Sequence, residues 1–593
     1  MKDFMKYVLA TVVGLLVFGV VMALLGVMSL VGMVASGEQA RNVSDNSVLV
    51  IELSGSLQEQ AGGNGLMEAA SLAGGSGSLG MQQLLDAIGK AKENDHVKGI
   101  YIEAGAFSAD YAQLQELRNA LEDFRKSGKW IAAYGDVYTQ GAYYLCSVAD
   151  KLWLNPQGEI DWHGLASQPI FVKDLLKKVG IEMQVIKVGR YKSATEMYTE
   201  DHMSDANREQ TQAFITGIWR NIVSAVAKSR KLSADSLNVL ADRLVMFEGA
   251  EALVKYGLVD SLIYQDGVKD EVKRLLGLDE KKRVNQVSVG EMQTVKQRRR
   301  GEEVAVYYAW GDIVDAAEFG LLSGGGHQIV APDVNNDLRK LMDDDDVKAV
   351  VVRVNSPGGS AYASEQLWHQ IQQLKAKKPV VISMGGYAAS GGYYMSCGAD
   401  YIYAEPTTLT GSIGIFGTIP DRSKLMTEKL GLKFDEVKTN RNAAFGTSAR
   451  PFNAEELSYL QTYIERGYSL FRKRVADGRK MTIDQVEAIA QGHVFTGEDA
   501  LKVKLVDELG GLDKAVAKAA KLAKLDEYHT SSYPAAPSLL DELLNRASGT
   551  GGNYLDEQLK DVLGSYYEPV MLLRAAEKVP TAQARMEYFI NIK

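Results

Sequence analysis

The chain has 593 residues, 24% of them charged, a formal net charge of −9 and two cysteines. That length exceeds what one hydrophobic core supports and predicts two core domains with appendages. The acidic balance excludes a basic nucleic-acid footprint, and two cysteines exclude a disulfide framework.

Residues 7–37 form a run of 31 residues without a charge, preceded by Lys2 and Lys6 and followed by Glu38 and Asp45. About 20 apolar residues span a bilayer, and the lysines favour a cytoplasmic N-terminus with the remaining chain across the membrane. The small residues Val34, Ala35 and Ser36 admit a cleaved leader instead. A secretory apolar region is only about 7–15 residues, so an uncleaved anchor is the expectation.

Ser47–Leu53 then reads as a strand, 59–79 as a mobile Gly/Ala/Ser-rich loop, and Met81–Lys92 as a helix. Val97–Ile102 and Trp130–Tyr134 are predicted strands, with Tyr111–Lys126 and Gln140–Val148 as helices. Lys269–Arg300 is expected to be a largely polar linker. Beyond it the order repeats: strand Val304–Tyr308, helix Val334–Met342, strand Val350–Val354, helix Ala363–Lys375 and strand Val380–Met384. Strands alternating with helices indicate βα units and parallel sheets.

The repetition extends to individual residues. Trp130–Asp150 aligns with Val380–Asp400 without a gap, Val97–Asp110 with Val347–Ser360, and Asn155–Gly164 with Glu405–Gly414. The chain is therefore a duplicated domain. One aligned pair carries a chemical difference: Ser390 in the later copy faces Gln140 in the earlier one. The loop Pro357–Gly358–Gly359 faces Phe107–Ser108–Ala109.

Ser390 lies between an apolar strand and the start of a helix, where backbone N–H groups favour an oxyanion. The N–H of Gly391, with that of Gly358 or Gly359, would build an oxyanion hole, because glycine lets backbone approach a ligand closely. Ordinary Gly-rich βα turns are the alternative reading of both motifs. None of the seven histidines sits in a motif that would make it the base. A lysine can serve if burial lowers its pKa by about three units, roughly 4 kcal/mol.

The combination of SPGG, YAASGGYY and TGSIG with GRYKSA (Gly189–Ala194) resembles the signal peptide peptidase A (protease IV) family in its long, duplicated form. The resemblance implies Ser390 as nucleophile, Lys192 as general base and Ser412 as the residue that hydrogen-bonds the lysine. Arg190 stands where the family segment often has lysine. Ala443 falls near Lys192 in the internal alignment, so each copy retains what the other lacks, as one composite site requires. A solvated surface lysine is the alternative reading of Lys192.

The implied fold is α/β: two tandem Clp-protease/crotonase-like βα repeat domains after an N-terminal transmembrane helix. Its divisions are an anchor at 1–46, a first repeat with linker at 47–300, a second repeat at 301–535 and a tail at 536–593 whose role is unreadable. The implied function is a membrane-anchored serine endopeptidase that degrades released signal peptides and unfolded chains, with no metal or organic cofactor and no nucleic-acid partner. Its expected setting is the outer, periplasmic side of the bacterial inner membrane, as a homotetramer. An acyl-CoA enzyme of the crotonase architecture and a non-catalytic membrane scaffold are the competing functions.

Overall fold

The computed structural model describes residues 43–60, 79–296, 299–317, 327–535 and 582–586, with a few isolated positions before them. Nearly all of the expected membrane anchor at 7–37 and most of the expected loop at 59–79 lie outside the described residues. No helix among the described residues is long and apolar enough to cross a membrane.

Each repeat is built on its own mostly parallel sheet. In the first, strands run in the order Leu79–Gly80, Ser47–Gln58, Val97–Ser108, Trp130–Tyr138, Lys151–Ile160 and Ser261–Leu262, all parallel. In the second, Tyr528–Tyr533, Glu302–Trp310, Val347–Ser356 and Val380–Ala389 lie side by side in parallel. Leu409–Gly411 and Tyr401–Ala404 both pair with Val380–Ala389. The β-branched run Val350, Val351 and Val352 is wholly buried, as strands covered by helices on both faces require.

The duplication persists in the helices. Gln140–Cys146 and Gly391–Ser396 follow equivalent strands, and two 26-residue helices, Asp205–Arg230 and Ala454–Arg479, occupy equivalent places in the two repeats. Asp110 and Ser360, aligned in sequence, both cap the helix that follows them: Asp110 in a capping box with Gln113, Ser360 by accepting the Ala363 N–H at 3.2 Å.

Two sequence expectations need correction. The stretch read as a linker instead completes the first repeat: helix Gln265–Leu276 ends in it, and Asn285–Ser288 adds a parallel strand beside Ser47–Gln58. Glu59, read as part of a mobile loop, is buried and spans the two repeats. It accepts hydrogen bonds from Arg353 Nε at 2.8 Å, Asn355 Nδ2 at 2.8 Å and Gln113 Nε2 at 3.1 Å. Arg353 Nη2 also lies 2.7 Å from Glu116 Oε2, without hydrogen-bond alignment. Glu116 in turn accepts the Leu512 N–H of the second repeat. Local periodicity carries no trace of such a contact, because its partners are far apart in sequence.

A third, six-stranded sheet joins the repeats. Glu182–Lys187 of the first repeat pairs antiparallel with Phe416–Asp421 of the second. Gln583–Arg585 lies between Phe416–Asp421 and Gly358–Ser360, antiparallel to both. The C-terminal tail, unreadable from sequence, thus contributes a strand to the centre of the molecule.

Arg353 is 1% exposed and neutralises two buried carboxylates, so its loss leaves charge without compensation. Arg353→Leu is expected to destabilise the protein by about 3–5 kcal/mol. Adding Glu59→Gln and Glu116→Gln should recover part of that loss. Denaturant midpoints of the single and triple variants check both expectations.

Candidate active site

Ser390 ends the strand Val380–Ala389 and opens the helix Gly391–Ser396 at φ 54° and ψ −110°, a conformation L-residues rarely adopt. Such strain persists only where the surroundings fix it. Here the Ser390 N–H donates to the Gly411 carbonyl and the Tyr394 N–H donates to the Ser390 carbonyl, both at 2.8 Å. Ser412 also has positive φ, at 49°, and its N–H donates to the His493 carbonyl at 2.7 Å. Two serines are therefore held in strained turns on neighbouring segments of the second repeat.

Lys192 enters from the first repeat. Its turn packs on the loop Gln491–Gly492, and two glycines permit the approach. A Cβ on Gly189 (φ +108°) would fall 2.5 Å from the Gln491 carbonyl, and one on Gly492 (φ +80°) 2.7 Å from the Lys192 nitrogen. Gln210, on the long helix Asp205–Arg230, clamps the turn. Its amide donates to the Tyr191 carbonyl at 3.0 Å and to Ser193 Oγ at 3.2 Å, and accepts the Val494 N–H at 3.2 Å.

Lys192 Nζ lies 2.8 Å from Ser390 Oγ, 2.9 Å from Ser412 Oγ and 3.0 Å from the Ser412 carbonyl. The side chain is 1% exposed, and among the described residues no carboxylate pairs with it. Burial alone holds its pKa well below the ordinary lysine value of 10.5. The three contacts suit a neutral amine. With the amine neutral, two N–H bonds can serve the two oxygens of Ser412 and the lone pair can accept the Ser390 hydroxyl, all three oxygens lying within 3.0 Å. Such an arrangement can withdraw a proton from Ser390 as the hydroxyl becomes a nucleophile.

The three glycines expected around an oxyanion converge beside this cluster. Gly358 (φ +108°) and Gly359 (φ +155°) form the strand edge, and a Cβ on Gly358 would meet the Gly391 nitrogen at 2.8 Å. The Gly358 N–H already donates to Ser356 Oγ at 3.1 Å. Ser364 Oγ closes the site from behind: a Cβ on Gly391 would lie 2.5 Å from it, and it donates to the Ser360 carbonyl at 2.7 Å.

The equivalent place in the first repeat is filled. Gln140 Nε2 donates to the Gly164 carbonyl at 3.0 Å and Tyr111 Oη at 3.1 Å, while its Oε1 accepts the N–H groups of His163 and Gly164. Trp162, aligned with Ser412, is buried against Tyr143 and Trp219. In the second repeat, Ala443, the sequence counterpart of Lys192, is exposed. The structure brings together the sequence candidates Ser390, Lys192 and Ser412, with Gly358, Gly359 and Gly391 beside them. Gln210, Ser356 and Ser364 were not among the candidates, because their partners emerge only on folding.

The lysine supplies a test of sign. A depressed pKa means the unfolded chain binds a proton that the folded chain does not, so this group lowers stability below pH 10.5 and the penalty grows as pH falls towards its folded pKa. Lys192→Met is therefore expected to raise the denaturation midpoint at pH 7, with the gain over the unmodified chain shrinking between pH 8 and 10.5. Denaturant titrations at several pH values check it.

Residues 123–279 and 372–526 match peptidase family S49, and residues 316–408 match the Clp protease family. Protease 4 of Salmonella typhi is 37% identical over 515 residues, covering 85% of this chain and 81% of that protein. Protease 4 of Haemophilus influenzae is 35% identical, covering 74% and 72%. The chloroplastic serine protease SPPA of Arabidopsis thaliana is 31% identical, covering 82% and 70%. With two S49 segments, Clp-protease-like βα repeats and relatives matched over most of their length, this chain belongs to peptidase family S49 and is a serine peptidase.

Proposed function

We propose that hydrolysis runs on a Ser390–Lys192 dyad shared by the two repeats. The observation that carries this reading is the 2.8 Å contact between Lys192 Nζ and Ser390 Oγ in a buried setting without a counter-charge. Neutral Lys192 takes the Ser390 proton as Oγ adds to the scissile carbonyl carbon, and Ser412 fixes the amine's orientation. The protonated lysine then gives its proton to the leaving amine, and water resolves the acyl-enzyme by the reverse relay. The oxyanion is held by the Gly391 N–H together with that of Gly359, since the Gly358 N–H has a partner in Ser356.

The substrates proposed are released signal peptides and unfolded chains. An extended segment is what a slot between two strand edges accepts, and residues 7–37 would bring the slot to the membrane where signal peptides are shed. In this reading residues 7–37 anchor the chain in the bacterial cytoplasmic membrane and the repeats face the periplasm. The assembly proposed is a homotetrameric ring. Its support is a row of exposed apolar side chains on one segment of the second repeat, including Leu430, Phe434, Val437 at 99% exposure and Phe445.

Ser390→Ala and Lys192→Ala should each lower kcat on a peptide reporter by about 10⁴- to 10⁶-fold with the fold retained. Substantial turnover in either folded variant would sink the dyad. Ser412→Ala removes one orienting hydrogen bond, worth about 1.5–3 kcal/mol when the partner becomes charged, or roughly 10- to 150-fold in kcat. The unmodified enzyme should gain activity with rising pH through an apparent pKa well below 10.5, and Ser412→Ala should shift that value. A pH–rate profile insensitive to Ser412→Ala would remove that residue from the mechanism.

A further inference from the structure

Lys192 and Ser412 come from different repeats, and one short strap of the second repeat, residues 491–494, touches the turns of both. The Ser412 N–H donates to the His493 carbonyl at 2.7 Å, and the Gly492 N–H donates to the Ile413 carbonyl at 2.8 Å. Val494 pairs with Gly411, at the end of the strand that leads into Ser412. On the opposite side the Tyr191 N–H donates to the Gln491 carbonyl at 2.9 Å. Gln210 joins the Tyr191 carbonyl to the Val494 N–H. The strap is thus the surface on which the lysine turn of one repeat is set against the serine turn of the other.

The side chain of His493 completes this contact. Its ring meets the Tyr191 ring edge-on, with centroids 4.4 Å apart, and lies 4.2 Å from the Phe495 ring. Tyr191 immediately precedes Lys192, and the Arg190 guanidinium covers its ring at 4.6 Å. His493 Nδ1 is buried and has no hydrogen-bond partner among the described residues. The place of the base beside Ser390 is held by Lys192 Nζ instead. A buried lone pair is tolerated at Nδ1, whereas protonation would put an N–H where no acceptor lies. Burial is the largest influence on the ring and holds its pKa below the ordinary histidine value of 6.5. Glu209 and Asp499 favour the charged ring and Arg190 opposes it. Other charged groups around the strap have partners of their own: Glu487 is engaged by Arg472 and Tyr468, and Lys192 by the two serines.

From this packing we propose that His493 is a positioning residue for the hydrolysis, its neutral imidazole wedged between Tyr191 and Phe495 so that the Lys192 turn stays in register with Ser412. The proposal rests on the serine–lysine reading and adds to it a residue that neither gives nor takes the reacting proton. A protonated ring needs an acceptor or water at Nδ1, and finding either means leaving the wedge. Tyr191 then loses its edge contact, and the amine of Lys192 loses its alignment with Ser390. Acid therefore silences the enzyme by two routes, protonation of the lysine and release of the wedge.

The test uses the full chain and initial rates on a peptide reporter. Every side-chain variant keeps the backbone bond from Ser412 to position 493, so the comparison reads the ring alone. His493→Ala is expected to lower kcat by roughly 10- to 100-fold while KM changes by less than about twofold, because misalignment of the reacting groups is felt in the chemical step. His493→Phe keeps a planar ring and should recover most of that loss at about pH 8. It cannot take a proton, so its kcat/KM relative to the unmodified chain should climb as pH falls below 6.5, by up to about tenfold per unit. A ring that serves only as packing would leave that ratio flat. A flat ratio between about pH 5 and 8, or a folded His493→Ala chain with kcat within about twofold of the unmodified one, overturns the proposal. If His493→Ala does not fold, the His493→Phe ratio decides alone. Ser390→Ala and Lys192→Ala run in the same series: their inactivity would leave the serine–lysine reading standing even where the His493 variants fail, so the two failures are distinguishable.

Discussion

A lysine amine buried with only neutral oxygens around it is the constraint on which this molecule turns. Lys192 can be a base near neutral pH only if water and carboxylates are kept away, because either would favour its charged form. Excluding both requires protein on every side. The first repeat supplies the lysine's own turn and the Gln210 clamp, and the second supplies Ser390, Ser412 and the loop at Gly492. The site exists only where the two copies meet.

That dependence explains the other uncommon feature of the interior. Arg353 and Glu59 form a buried ion pair across the repeats, extended by Glu116 and Asn355. Buried ion pairs add little net stability over a well-packed apolar contact, because desolvation offsets attraction. They do fix geometry, since displacement leaves charge unpaired. Arg353 lies on the strand that leads into Asn355, Ser356 and the glycine loop. Pinning that strand to the first repeat pins the loop relative to Lys192. Accuracy of this order is what contacts of 2.8 and 2.9 Å from Lys192 to Ser390 and Ser412 require.

The duplicated ancestry accounts for the asymmetry of the two halves. Where the second repeat presents Ser390 and Ser412, the first fills the aligned positions with Gln140 and Trp162, bonded and packed in place. Where the first presents a lysine, the second has an exposed turn around Ala443. Each half gave up one part of a site and kept the fold that positions the other. The joining sheet, with its central strand taken from the tail, then makes the region around Ser390 the place where three parts of the chain converge.

Much of this was legible in the residues themselves. Alternating apolar runs set the βα order, because burial on both faces of a parallel strand leaves a β-branched signature, and the strands and helices predicted within 47–148 and 304–384 follow it. The gapless alignment of Trp130–Asp150 with Val380–Asp400 exposed Ser390 against Gln140, since a change of chemistry between two copies shows as a single substitution. Nothing local could disclose Glu59 as an interior residue or the stretch after Lys269 as part of the first repeat. Their environments are made by segments distant in the chain, and a polar residue looks alike whether solvent or a buried arginine satisfies it. The tail was opaque for the same reason: a strand that completes a sheet between two others is defined by its neighbours. The sequence by itself determined the repeats and the reactive residue types. Only the tertiary structure decided that one lysine would be buried, with its pKa held down, because dielectric and exclusion of water belong to the packed assembly of segments and to none of them singly.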